Sequence, residues 1–128
     1  MMIEFDDTMK KLKGVKGYLG SAILNNEGET LYLDEEGTNS DIVYAASVFN
    51  DAFAEMTESS LDIGFSPTNM LETRTTDGHV FLMKSIEGSN AENKIIFFSI
   101  FQSTGNVPLA KMVIDRSAAK VLQIIEDI

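Results

Sequence analysis

The sequence has no cysteine and only one histidine, His79. Without thiols it can form no disulfide, offer no thiolate to a metal and present no cysteine nucleophile. With one histidine, a zinc site of the usual Cys/His kind cannot be assembled within one subunit. Basic residues are also scarce. Ten Lys and Arg face twenty Asp and Glu, giving a formal net charge of -10 and a pI near 4.4. Such a chain repels polyanions, which makes nucleic acid and anionic membranes poor partners. No apolar run approaches the ~18 residues of a membrane span. The opening MMIEFDDTMKK lacks the layout of a signal peptide. A cytoplasmic protein is expected.

What remains is enough to fold. The 128 residues, 44% of them hydrophobic, predict one domain spanning 1–128 with a proper core. Residues 4–13, EFDDTMKKLK, read as a short helix with Phe5, Thr8, Met9 and Leu12 on one face and Gly14 as its stop. GYLGSAILNNEGETLYLD reads as a hairpin. In its first strand Tyr18, Gly20, Ala22 and Leu24 alternate with Leu19, Ser21 and Ile23, and Asn25 to Gly28 is turn-rich. The small residues leave room for a helix, or equally a ligand, to lie close. After a polar connector, Ser40 or Asn39 is the expected cap of a helix from Asp41 to Ser60. Its apolar stripe runs Ile42, Ala45, Ala46, Phe49, Ala52, Phe53 and Met56. Val43, Tyr44 and Val48 widen that arc beyond what one sheet face needs.

Thr68 to Ile86 reads as a second hairpin, with an Asp77-Gly78 turn of the primed type. Its returning strand places Val80, Leu82, Lys84 and Ile86 on one face and Phe81, Met83 and Ser85 on the other. The outgoing strand, with Glu72, Thr73, Arg74 and Thr75, is polar and suits a sheet edge. EGSNAEN is a loop. Ile95 to Ile100 is then apolar on both faces apart from Ser99, which requires a layer above and a layer below. The predicted order is α-β-β-α-β-β-β-α. The fold class is α/β (α+β), with one mixed or antiparallel five-stranded sheet and helices on both faces.

No constellation of catalytic residues emerges. Asp34, Glu35 and Glu36, and likewise Glu126 and Asp127, read as solvated charge. His79 reads as a strand residue without an identified orienting partner. The sequence lacks G-x-x-x-x-G-K-[ST], so the chain is not expected to bind and hydrolyse nucleotide itself. No enzyme activity, cofactor or metal is expected. The final helix is more informative. Val107, Ala110, Ile114, Ala118, Val121, Leu122 and Ile125 form its core stripe, yet Leu109 and Met112 project from the polar side. Either a loop covers them or they meet a partner.

The order and spacing of these motifs resemble the roadblock/LC7 domain family, and in particular its prokaryotic MglB-like branch. KLKGVKGYLGSAILNNEGETLYLD is similar to the family's opening segment. Gly14, Val15 and Gly17 match its lead-in, and Gly28 its turn glycine. GNVPLAKMVIDRSAAKVLQII resembles the closing segment, with Asn106 at the family's asparagine and Arg116 at a frequently basic helical position. Pro108 departs from the usual glycine. The resemblance covers roughly residues 5–125.

The resemblance implies a five-stranded sheet with the middle helix on one face and the two terminal helices on the other. It also implies a homodimer in which third strands pair across a two-fold axis and middle helices lie side by side. On this chain the implied interface is Asn69, Met70, Leu71, Glu72, Thr73, Arg74 and Thr75, with Tyr44, Val48, Phe49 and Ala52 on the helix; Leu109 and Met112 are further candidates. The implied function is an adaptor or regulator of a Ras-like small GTPase or related NTPase, remodelling its partner without supplying an arginine finger. Arg74 and Arg116 are read as surface or structural arginines. The alternative is a small-ligand-binding sensory or structural module of profilin-like fold, with its pocket between the sheet and the long helix.

Overall fold

The computed structural model describes residues 5–88 and 93–127. Glu4, expected to open the first helix, and Ser89 to Glu92 of the EGSNAEN loop lie outside the described residues. The elements are α1 (Asp6–Lys13), β1 (Tyr18–Asn25), β2 (Thr30–Asp34), α2 (Ile42–Asp62), β3 (Met70–Arg74), β4 (Val80–Ile86), β5 (Ile95–Phe101) and α3 (Val107–Glu126). Every strand pairing is antiparallel, in the order β2-β1-β5-β4-β3. The chain thus places its most apolar strand, β5, at the centre and the polar β3 at an edge.

The period of two in β4 and β5 sorts their side chains between two layers. Val80, Leu82, Ile95, Phe97 and Phe101 face α1 and α3, where they meet Phe5, Met9, Leu12, Ile114 and Val121. Met83, Ile96, Phe98 and Ile100 face α2, where they meet Ile42, Ala46 and Phe53. All seven residues of β5 are buried, and each fully covered phenylalanine contributes roughly 1.5–3 kcal/mol relative to exposure. Close approach of α2 explains the small residues of β1. A Cβ on Gly20 would stand 2.8 Å from Asp34 O and 3.3 Å from Ile42 Cδ1, so the end of β2 and the helix, not a ligand, occupy that space.

Four local expectations are corrected. First, strict alternation in β1 fails at its start. The register slips between Tyr18 and Gly20, so Tyr18 joins Ser21 and Ile23 on the α1/α3 face while Leu19 joins Ala22 on the other. A bulge of this kind turns one residue over. Second, the α2 cap is Asp41, whose carboxylate accepts from Tyr44 N at 3.0 Å. Asn39, Ser40 and Asp41 are all competent caps, and the need to set Ile42 and Ala46 on the sheet selects the last.

Third, the Asp77-Gly78 turn is not of the primed type, because among the described residues only glycines have positive φ, and Asp77 is not one of them. Thr75 N donates to His79 O at 2.9 Å and Gly78 N to Thr75 O at 2.9 Å, enclosing a three-residue loop that ends in left-handed Gly78. The first hairpin repeats this geometry with Asn25, Glu29 and left-handed Gly28. Fourth, Asp34 is not solvated. It is 7% exposed and accepts from Tyr18 Oη at 2.7 Å, tying the edge strand β2 to β1. Burial pushes the Tyr18 phenol above its ordinary range.

Gly14 does end α1, but in a right-handed conformation; the left-handed glycine is Gly17, three residues on. Gly17 crosses over Gly105, and a Cβ placed on it would lie 2.5 Å from Gly105 Cα. Gln102 N donates to Gly17 O at 2.8 Å and Asn106 N to Lys16 O at 3.0 Å. The lead-in to β1 and the lead-in to α3, remote in sequence, therefore form one backbone crossing. Asn106 caps α3 by accepting from Leu109 N at 3.2 Å, with Pro108 in the first turn.

Candidate interaction surface

Long apolar side chains concentrate outside the core on one element. Along α2, Tyr44, Val48 and Met56 are 69%, 46% and 52% exposed, with half-buried Ala52 completing the four-residue spacing. Residues four apart lie one above another on a helix, so these make a continuous strip. Phe49 turns inward. Its ring centroid is 5.0 Å from that of Phe81 and 5.3 Å from that of Phe98, so it belongs largely to the α2–sheet layer. Met56, which spacing placed on the core stripe, is mostly outside it.

β3 stands beside this strip as the last strand of the sheet. Its outer side has no strand partner among the described residues, which leaves a row of main-chain donors and acceptors free. Leu71 and Thr73 are half-buried on the α2 side, opposite Met83 and Phe81 in register. Met70, Glu72 and Arg74 lie on the α3 side, where Lys111 of α3 pairs with Glu72. Asn69 and Thr75 flank the strand and pair locally, Asn69 O with Ser85 N and Thr75 N with His79 O, both at 2.9 Å. Arg74 Nη1 donates to Gly78 O at 3.3 Å, a role within its own hairpin.

Three further apolar side chains escaped sequence reasoning. Leu61, Ile63 and Phe65, at the exit of α2, are 51%, 73% and 69% exposed. They are not on a loose segment. Phe65 N donates to Ser60 O at 2.9 Å, Ser60 Oγ to Ser66 O at 2.6 Å, and the hydroxyls of Thr57 and Thr68 meet at 2.6 Å. Apolar residues on both sides of Gly64 were the available signal, but periodicity does not read a loop. Leu109 and Met112 are on the opposite face of the sheet, in α3, and are 41% and 53% exposed. Among the described residues no loop covers them.

Charge separates the two faces as well. No Lys or Arg occurs between Lys16 and Arg74, a stretch containing all of β1, β2 and α2. Around the α2 strip, Asp51, Glu55, Glu58 and Asp62 are all exposed. The one histidine sits in the β3–β4 turn, with Nδ1 3.0 Å from Asp77 Oδ1. Among the described residues no group of three His, Asp or Glu could hold a metal ion. Nor is any described helix long and apolar enough to cross a membrane.

The arrangement is one antiparallel sheet between a single long helix and a terminal helix pair, with an open third-strand edge. Solved structures share it. The MglB of Myxococcus xanthus matches with a TM-score of 0.78 at 16% identity, over 97% of this chain and 96% of that one. The gliding protein MglB of Thermus thermophilus matches with a TM-score of 0.80 at 10% identity, over 97% and 90%. A roadblock/LC7 domain of Streptomyces avermitilis matches with a TM-score of 0.76 at 11% identity, over 94% and 97%. No sequence-family model and no curated protein matches the chain. The protein has the roadblock/LC7 fold.

Proposed function

We propose that residues 1–128 form a single cytoplasmic module of the prokaryotic MglB-like type, a homodimeric and non-enzymatic adaptor or regulator of a Ras-like small GTPase or related NTPase. The observation that carries this reading is the pairing of an open β3 edge with the exposed strip Tyr44–Val48–Ala52–Met56. Antiparallel addition of a second β3 satisfies the free main-chain groups whatever the side chains. It also brings a second α2 alongside the first, over the half-buried Leu71 and Thr73. The polarity of β3 suits this use, because an apolar edge of the same length would pair indiscriminately.

A small-ligand sensor is the competing reading, and it needs a hollow between α2 and the sheet. The rings of Phe49, Phe81 and Phe98, within 5.0–6.3 Å of one another, fill that space. The adaptor is therefore the better supported reading. Its test has two parts. Light scattering over a dilution series should give twice the 14.1 kDa chain mass; a monomer at micromolar concentration overturns the dimer. Purified GTPases encoded near its gene should then be mixed with it in both nucleotide states. Binding to at least one, with GTP turnover followed in parallel, is expected. Failure with all of them overturns the regulator.

A further inference from the structure

The face opposite α2 has the reverse charge. Seven of the ten basic residues, Lys10, Lys11, Lys13, Lys16, Lys111, Arg116 and Lys120, lie on α1, just beyond it, or on α3. The two helices run antiparallel. Asn106 N at the head of α3 bonds Lys16 O just past the end of α1, and Ser117 Oγ further along bonds Thr8 O at 3.4 Å. Between them runs an open groove of ≈ 360 Å³, floored by Thr8, Val113 and Ser117. Lys11, Arg116 and Lys120 line it, with Asp7 as the single acid.

Those three cations form no ion pair among the described residues. In a chain with twice as many acids as bases, clustering three cations without partners is opposed by their own repulsion. Leu109 lies four residues before Val113, so it extends the groove by one turn; Met112 lies four before Arg116, on its outer rim. Both are exposed. Basic side chains thus alternate with apolar ones along a furrow from Leu109 to Lys120, about 16 Å at 1.5 Å per residue.

We propose that this furrow is a second docking site, separate from the α2 strip and the β3 edge, and that its occupant is an acidic amphipathic helix of a partner protein. Three turns of helix match its length, and a third helix laid on an antiparallel pair buries apolar positions at three- and four-residue spacing. The occupant's carboxylates would meet Lys11, Arg116 and Lys120, while its apolar residues cover Leu109, Met112 and Val113. A homodimer would carry two such furrows, facing away from the α2 strips.

The test uses the full chain and a labelled 14-residue helical peptide of Glu and Leu, with Leu at three- and four-residue spacing. A Lys/Leu peptide of the same pattern, a uridine oligonucleotide and phosphatidylserine vesicles serve as comparison probes. Fluorescence anisotropy should show the acidic peptide binding at least ten-fold tighter than the basic one, and weakening as salt is raised. R116E combined with K120E should reduce that affinity at least ten-fold, and Met112→Ser should reduce it in part. Val48→Ser on the opposite face should leave it unchanged. R116Q with K120Q keeps the conclusion accessible if reversal disturbs folding, which circular dichroism reports.

Equal binding of both peptides, or an affinity insensitive to the Arg116 and Lys120 changes, overturns the proposal. Oligonucleotide or vesicle binding as tight as the peptide's would also overturn it, making the furrow a general polyanion surface. So would higher assemblies of the unaltered chain that disappear in the charge variants, since the occupant would then be a second copy. Dimer mass and GTPase binding, measured on the same variants, fail or survive independently of all these outcomes.

Discussion

Gly17→Ala isolates the backbone crossing on which the positions of β1 and α3 depend. Gly17 has φ +86 and Gly28 has φ +83, so alanine suffers the same left-handed strain at both. That strain is roughly 1–2 kcal/mol, partly offset by about 0.4–1 kcal/mol of lost unfolded-state freedom. At Gly28 nothing lies within 4 Å of the added Cβ, so the net cost there is about 1 kcal/mol. At Gly17 the Cβ also stands 2.5 Å from Gly105 Cα and 2.9 Å from Gly105 N, and both are backbone atoms. Restoring an ordinary carbon separation of ~3.5 Å or more moves the two segments apart by about 1 Å. Such a shift breaks the bonds from Gln102 N and Asn106 N, now 2.8 and 3.0 Å long. At about 1 kcal/mol each, their loss brings the total for Gly17→Ala to about 3 kcal/mol. With a urea dependence near ~2 kcal/mol/M, the midpoints should fall by about 1.5 M for Gly17→Ala and about 0.5 M for Gly28→Ala. All variants must be compared at one protein concentration, because a dimer's midpoint depends on it. Equal shifts would refute the crossing as a structural constraint.

Tyr18→Phe removes the donor to buried Asp34 and should cost about 1–3 kcal/mol in thermal unfolding at pH 7; a neutral result would mean water replaces the phenol without loss. Because burial raises the Tyr18 phenol's pKa, its contribution is complete below the ordinary phenol range and is lost as pH rises through the elevated value. An ultraviolet titration should accordingly show Tyr18 still protonated where a free phenol has ionised. Asp77 is held near a pKa of about 2, first by the Thr75 hydroxyl and then by His79. Its contribution to the β3–β4 turn is present above the usual carboxylate range and decays as pH falls from about 4 to about 2. A carboxyl NMR titration midpoint near an ordinary aspartate's would contradict this. Leu109→Ser and Met112→Ser, at exposed positions, should change stability by less than ~0.5 kcal/mol. A loss several times larger in urea unfolding would show that these side chains serve the fold instead of a partner.

The strands were legible wherever one physical demand dominated. Ile95 to Ile100 needed two covering layers, and Val80 to Ile86 alternated cleanly, so the faces they bury followed, whereas the strand order β2-β1-β5-β4-β3 did not. Leu19 was not legible, because a bulge changes which side a residue faces without changing composition. Asp34 looked like its neighbours Glu35 and Glu36, and only Tyr18, sixteen residues away, distinguishes it. The same limit applied to α3. Its expected stripe omitted Val113 and Ser117, both buried, because the helix meets α1 as well as the sheet. Leu109 and Met112 stood out because they broke a stripe. The cations beside them had no visible meaning until α1, more than a hundred residues earlier, lay against α3.

Two exposed apolar regions on opposite sides of one sheet constrain how the protein can be used. From Tyr44 to Met56 the α2 strip runs about 18 Å, long enough to be contiguous and not a scatter of single residues. Leu109 and Met112 lie beyond the sheet from it, with packed layers each about 10 Å thick intervening. A compact partner seated on α2 therefore does not reach them. Charge sharpens the separation, since the α2 side lacks cations while the α1/α3 furrow gathers them. A surface favourable to a basic partner is unfavourable to an acidic one. If both faces are occupied, they are occupied by different surfaces, and the β3 edge between them remains available to a second copy of the chain.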